Sequence, residues 1–415
     1  MTLDPVHFDG IAQLAGRISQ RVDATDHDSF AETVFEEFLD PLMYDDRRVV
    51  EPLDEVQRQR IDAEDAALQE APFPTQHGLD SGTINPTTFT NGLVLDVAQA
   101  AMASVPSDLE LHRARSVVTT VHSNDATVDC GEDDWTMFDR GYSRGRIIQA
   151  PRVNRYEEAV VHALSLYLAE AKHAGMQSAV VDDLLILDGP IYPKGLLVWS
   201  DRHPELADLL VEEELPREVV AAYIDLVEEF ADRGVPLIGF VKNSGSKAII
   251  QAVREAERAP WVDDSAFFTR VLERTDDDGE TLTDELTFTN WFVSRGGVDR
   301  PLSTDGDALG IEREREAADY EVTFFCVFDP RTEQLYRVEA PAVFTRDEEL
   351  REALTMQVLR DVAHEKGPPM AVAKADELAR ISREEKAALG RAIEEQLDAA
   401  RDRSYDDERW GLVDG

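Results

Sequence analysis

Apolar residues return at helical spacing near the start of the chain, through Ile11, Leu14, Ile18 and Val22 and then Phe30, Val34, Phe35 and Phe38. Residues 8 to about 70 therefore read as helices, punctuated by Pro41 and Pro52. The charged stretch 56–70 has few apolar positions and reads as an exposed helix leading into the core. From residue 76 the pattern changes. Residues 77–83 read as a short strand opening into a turn, and 92–98 and 115–121 are β-rich runs. A helix follows from 155 to about 173, then a buried strand over 184–188 ended by a Gly-Pro turn. A helix over 217–232, a strand over 236–241 and a helix from 246 complete the run. The remainder reads as strands near 291, 321–328 and 335–338, then helices over 347–364, 369–380 and 383–401.

Three consecutive strands followed by alternating helix and strand is the element order of a ribonuclease-H-like core. The expected class is α/β, a ribonuclease-H-like mixed sheet with flanking helices, an N-terminal helical extension and C-terminal helices. The expected organisation is a helical extension over 1–72, the sheet domain over 73–402 and an acidic tail over 403–415.

Charge alters this picture most. The 415 residues carry 85 Asp and Glu against 42 Lys and Arg, a formal net charge of −43, spread over helices, loops and both termini. Evenly distributed carboxylates suit a cytoplasm of molar salt, where the Debye length falls to roughly 3 Å and self-repulsion is screened. Bulk charge argues against nucleic-acid binding, which normally shows as a basic patch. High salt also removes most of the counterion-release driving force. Any grip on DNA must come from metal ions, a few placed Lys and Arg residues, or a partner. With 43% hydrophobic residues, disorder is not the expectation. Cys130 and Cys326 offer neither zinc spacing nor a disulfide framework and read as small hydrophobes. MTLDPVHFDG has no signal-peptide pattern, and no apolar run approaches a membrane span, so the expected location is cytoplasmic.

Two Asp residues follow apolar strand residues and precede glycine turns, Asp80 in Gly-Leu-Asp-Ser-Gly and Asp188 in Ile-Leu-Asp-Gly-Pro. On neighbouring strands they could share a hard cation, because Mg²⁺ and Mn²⁺ prefer carboxylate oxygens. Asp-Gly and Asp-Ser-Gly are also ordinary turn sequences. On the helix between them, Val160, Val161, Leu164 and Leu168 mark the buried stripe and Glu157 falls on that face. Glu158 is turned away and Glu170 lies off the stripe on the other side, so Glu157 is the expected third ligand. First-turn glutamates also complement the helix dipole. Lys242, just past a strand in Phe-Val-Lys-Asn-Ser, could bind a phosphate as a point charge, with Lys194 and Lys247 near it. His112, His162 and His173 show no ligand spacing.

Asp80-Ser-Gly, the helix after Arg155, Leu187-Asp188-Gly-Pro-Ile, Gly239-Phe-Val-Lys242-Asn-Ser and the segment from Gly367 to Glu385 together resemble the NurA family. The resemblance covers roughly residues 76 to 400. It implies a metal-dependent nuclease holding Mn²⁺ or Mg²⁺ through Asp80, Glu157, Asp188 and Asp376, with Lys242 at the phosphate. It further implies resection of DNA ends with 5′-to-3′ polarity on single-stranded and duplex substrates, a homodimer, and a hexameric HerA-type ATPase as partner. Three departures stand out: Asp80-Ser-Gly in place of Asp-Gly-Ser, Pro190 where Ser is common, and Asp376 where the family carries His.

Three other readings compete. A decayed site would leave a DNA clamp or adaptor for the ATPase. Asp80-Ser-Gly-Thr also resembles the phosphate loop of actin and sugar-kinase ATPases, with Gly296-Gly297 as the candidate adenosine segment. It resembles the aspartic-protease turn too, but Asp188-Gly-Pro is a poor second copy.

Overall fold

The computed structural model describes residues 7–8, 11–14, 24–131, 134–256, 259–276, 278–304, 306 and 309–402. Ile18, Val22 and the expected acidic tail 403–415 lie outside the described residues. The described residues form one fifteen-stranded mixed sheet.

At its centre β1 (Gln76–Thr83), β2 (Leu93–Val105) and β3 (Arg115–Ser123) form an antiparallel meander, and β4 (Ser143–Gln149) joins β3 in parallel. Helix α1 (Glu157–Gln177) then crosses over to β5 (Leu184–Asp188), and α2 (Glu214–Arg233) to β6 (Leu237–Val241). Both new strands run parallel to β1, in the order β4-β3-β2-β1-β5-β6. Omitting β4, that is the ribonuclease-H-like arrangement expected from the element order. β5 is a five-residue run, Leu-Leu-Ile-Leu-Asp, buried through its first four positions. A parallel strand covered on both faces needs such a continuous apolar run.

β6 is followed in the sheet by β8 (Gln334–Pro341) and β7 (Val322–Asp329), both antiparallel to their neighbours. Helices α3 (Glu348–Glu365), α4 (Met370–Ala379) and α5 (Arg383–Leu397) close the described chain, close to their expected bounds. α1 packs across β1, β2 and β3 with α2 beside it, and α4 lies on β1, β2 and β5.

The N-terminal region departs from the all-helical expectation. Helix Ala24–Phe38 is present, but Leu42–Tyr44, Arg47–Pro52 and Arg58–Asp62 are strands. Arg47–Pro52 pairs with Phe292–Ser294 and Arg58–Asp62 with Glu285–Thr289, so this region is woven into the sheet. Val49 and Val50 are buried there, and Arg60 pairs across the strands with Glu285. Cross-strand partners far along the chain overrode a weak local helical signal. Asp62 caps only a short helix, Ala63–Ala67, accepting from the amides of Glu64 and Asp65. β4 and the antiparallel strand Thr136–Phe138 were also not expected, because Ser-Arg-Gly-Arg gives no apolar alternation.

Candidate active site

β1 sets the geometry. Side chains alternate along a strand, so Gly78, Asp80 and Gly82 share one face. A Cβ on Gly78 would stand 2.2 Å from the carbonyl oxygen of Ala371, and one on Gly82 would stand 2.3 Å from that of Ala379. The two glycines let α4 lie directly on the strand backbone, near both ends of the helix. Asp80 is thus held beneath the middle of α4, the stretch that carries Asp376. The expected turn at Asp80-Ser-Gly does not occur, because β1 continues through Thr83 and pairs with β2 as far as Ala98.

Asp188 is the last residue of β5, as expected, and Gly189 after it takes φ +135°, a region that favours glycine. The parallel register sets Leu187 beside Leu79, so the next step brings Asp188 beside Asp80 on strands about 4.8 Å apart. Lys242 follows β6 and donates from Nζ to Asp188 Oδ2 at 2.7 Å.

The helical carboxylate within electrostatic reach of the pair is Glu170, and Glu157 lies apart from it. Ser81, on the other face of β1, donates to Glu170 Oε1 at 2.6 Å, and the Tyr223 hydroxyl on α2 donates to Oε2 at 2.7 Å. Glu157 lies thirteen residues earlier on α1, about 20 Å along its axis, and its charge acts on His122. The stripe argument failed because α1 is covered nearly all round, by the sheet and by α2, as its buried residues Ala163, Leu164, Ser165, Ala169, Ala171 and Ala174 show. The usable signal was local: Glu170 is a lone carboxylate in the small apolar turn Leu-Ala-Glu-Ala.

Electrostatics bind these residues into one site. Burial, then the charges of Asp188, Glu170 and Asp376, push the Asp80 carboxyl up to about 8. Burial also raises Glu170, against the Ser81 and Tyr223 hydrogen bonds, with Asp188 adding to the rise. Asp188 is raised by burial in spite of Lys242. Burial alone would lower the Lys242 ammonium, but the bond to Asp188 and the charges of Asp188, Asp376 and Asp80 hold it above its ordinary value.

The donors are hard oxygens carrying mutual repulsion that a divalent cation would relieve, which is the chemistry Mg²⁺ and Mn²⁺ require. Among the described residues, however, no three His, Cys, Asp or Glu side chains form a ready metal cage. Both Glu170 oxygens are engaged by Ser81 and Tyr223, and Asp188 Oδ2 by Lys242. The fit is therefore to a cation held by one or two carboxylates, with water and phosphate oxygens completing its shell.

The other expected residues lie elsewhere. Lys194 is turned into a buried ion-pair group with Asp299 and Glu339. His173 is buried against Ser116, and burial followed by the charges of Arg144 and Arg115 lowers it to about 3. His112 accepts from the Ser104 amide, and His162 meets the buried Asp96 at 2.9 Å. Gly296 is packed against Val49 and Ala248. Cys326 is buried and Cys130 half-buried, and neither is in a disulfide.

A ribonuclease-H-like sheet with a carboxylate pair side by side on its central strands defines the class of the molecule. The NurA domain matches residues 74–381, and the chain belongs to that family. The NurA nuclease from Sulfolobus solfataricus is similar in structure at 12% identity and TM-score 0.50, over 95% of this chain and 98% of that one. That likeness shows a shared fold. A NurA crystallised with manganese is 10% identical at TM-score 0.37, over 80% of this chain and 94% of its own. No protein of curated function is significantly similar to the chain in sequence. Among the described residues no helix is long and apolar enough to cross a membrane.

Proposed function

We propose that the chain is a divalent-metal-dependent DNA nuclease. The observation that carries this reading is the crowding of Asp188, Glu170 and Asp376 around Asp80 in a member of the NurA domain family. Asp80 and Asp188 would hold Mn²⁺ or Mg²⁺, with Asp376 and Glu170 within electrostatic reach. When bound, the cation supplies an activated water and charge stabilisation for phosphodiester hydrolysis. Lys242, bonded to Asp188, would hold a phosphate oxygen of the strand. Glu170, gripped by Ser81 and Tyr223, would hold a fixed carboxyl group within electrostatic reach of the pair.

Processing of single strands and duplex ends with 5′-to-3′ polarity, a role in break repair, a homodimer and a HerA-type hexameric ATPase follow from the family as expectations for this chain. A salt-rich cytoplasm is inferred from the charge of −43. A translocating partner would feed DNA to a surface that binds it weakly. The test is cleavage of end-labelled single-stranded and duplex DNA in molar salt with Mn²⁺ or Mg²⁺. Asp80→Ala and Asp188→Ala are expected to stay folded by circular dichroism and to abolish cleavage. Retained cleavage in either variant rejects the assignment.

The missing three-ligand cage and the presence of Asp376 at the family's His position favour one second reading, an inactive adaptor. Calorimetry with Mn²⁺ separates the two, since an adaptor takes up no metal that Asp80→Ala abolishes.

A further inference from the structure

The two segments that leave the site run into the wall of a cavity. One leaves Asp188 and reaches Asp201; the other leaves Lys242 and reaches Ala248, Gln251 and Ala252. The opposite wall is the N-terminal strand region, Tyr44 to Val49, and the segment from Arg295 to Arg300. The space enclosed is about 280 Å³.

Its lining inverts the composition of the chain. Acids outnumber bases two to one overall, yet Arg47, Arg48, Arg295 and Arg300 line this cavity against Asp45 and Asp201. Two of the arginines have structural duties. Arg295 bridges Glu321 and Glu51, and Arg48 also pairs with Glu51. Arg47 and Arg300 are exposed, and among the described residues neither has a carboxylate partner. Lys247, also exposed, stands on the loop between Lys242 and the cavity wall. The floor requires Gly296, where a Cβ would stand 2.5 Å from Val49 Cγ1.

Ala248 is six residue steps from Lys242, so the cavity wall lies at most about 20 Å from the Lys242 backbone. At about 3.4 Å per nucleotide along a duplex axis, that is at most roughly six nucleotides. Planar guanidinium groups on mobile stems suit phosphate oxygens, which they can engage bidentately.

We propose that this arginine-lined cavity is a phosphate-holding site for the nucleic-acid strand, engaged through Arg47 and Arg300 a few nucleotides from Asp80 and Asp188. It deepens the nuclease reading and rests on it for the identity of the ligand. In a chain this acidic, it provides grip that composition alone denies.

The test is binding of a fluorescent single-stranded 20-mer by anisotropy, without divalent cation so that the strand stays intact, across a salt series. Arg47→Glu and Arg300→Glu are expected to weaken binding severalfold, each lowering the salt slope by about one contact. Arg391→Glu, outside the cavity, controls for added negative charge. Unchanged affinity and slope for the 20-mer in both cavity variants overturn the proposal. So does failure of the unsubstituted chain to bind the 20-mer, or uptake of inorganic phosphate alone. Cleavage assayed separately keeps the readings apart: cleavage with indifferent arginines sinks only the cavity, and arginine-dependent binding without cleavage sinks only the nuclease.

Discussion

Asp80 is partly buried among three other carboxylates, so lost hydration and then repulsion both oppose its ionisation. Its folded-state pKa of about 8 lies above the ordinary 3.8, so between those values the folded chain keeps a proton that the unfolded chain has released. Stability then falls as pH rises through that window. In chelator, urea unfolding is expected to show this decline, and Asp80→Asn is expected to flatten it. A steeper decline in the variant contradicts the electrostatic account. Tyr223→Phe removes the donor to Glu170 Oε2 and is expected to cost about 1–3 kcal/mol, measurable as a lower urea midpoint. Asp80, Asp188 and Lys242 were legible as residues because each ends or interrupts an apolar run. Glu170 was not, because helical spacing reports the face toward the sheet and α1 has a second buried face against α2.

At the scale of elements, the contact of α4 with β1 aligns Asp376 over Asp80. Gly78→Ala forces the Ala371 carbonyl away, since 2.2 Å is far inside any carbon–oxygen contact. Overpacking of this kind costs about 1–3 kcal/mol and displaces the helix. The expected result is a lower melting temperature together with weaker Mn²⁺ binding; loss of stability without loss of metal affinity would separate α4 from the site. The segment after β5 is tied down by Glu339 on β8, which is fully buried and holds both Lys194 and Arg337. Asp299 completes the group by pairing with the same two cations. Removing one member of a buried ion group leaves uncompensated charge, so Glu339→Gln is expected to cost about 3–5 kcal/mol in thermal or urea unfolding. The Lys194 reading illustrates the limit of proximity along the chain. Six residues from Asp188, it serves this scaffold because Glu339 and Asp299 arrive from the far half of the sequence.

For the whole molecule, a net charge of −43 sets solvent conditions. At about 0.1 M salt the Debye length is about 10 Å and surface carboxylates repel; at about 1 M it is about 3 Å. The unfolding midpoint is expected to rise steeply with KCl, whereas a flat response would indicate that the carboxylates are locally compensated. The sheet also joins distant parts of the chain. Strands from 42–62 pair with strands from 285–294, so the two halves share hydrogen-bonded edges. Truncating the first 72 residues would therefore expose the edges of strands 285–294 and the buried rings of Phe292 and Phe324, which share a cluster with Val34 and Phe35.

The linear pattern of apolar and polar residues by itself determined the β-β-β-α-β-α-β order, β4 excepted, because those periodicities arise from each element's own geometry. It determined the acidic solvation, and it placed Asp80 and Asp188 on strands that this order makes neighbours. Only the tertiary structure decided that strands would form within 42–62, that Glu170 rather than Glu157 would come within electrostatic reach of the pair, and that four arginines would gather in one cavity. Each of those outcomes depends on partners brought from more than fifty residues away, and a local pattern carries no record of them.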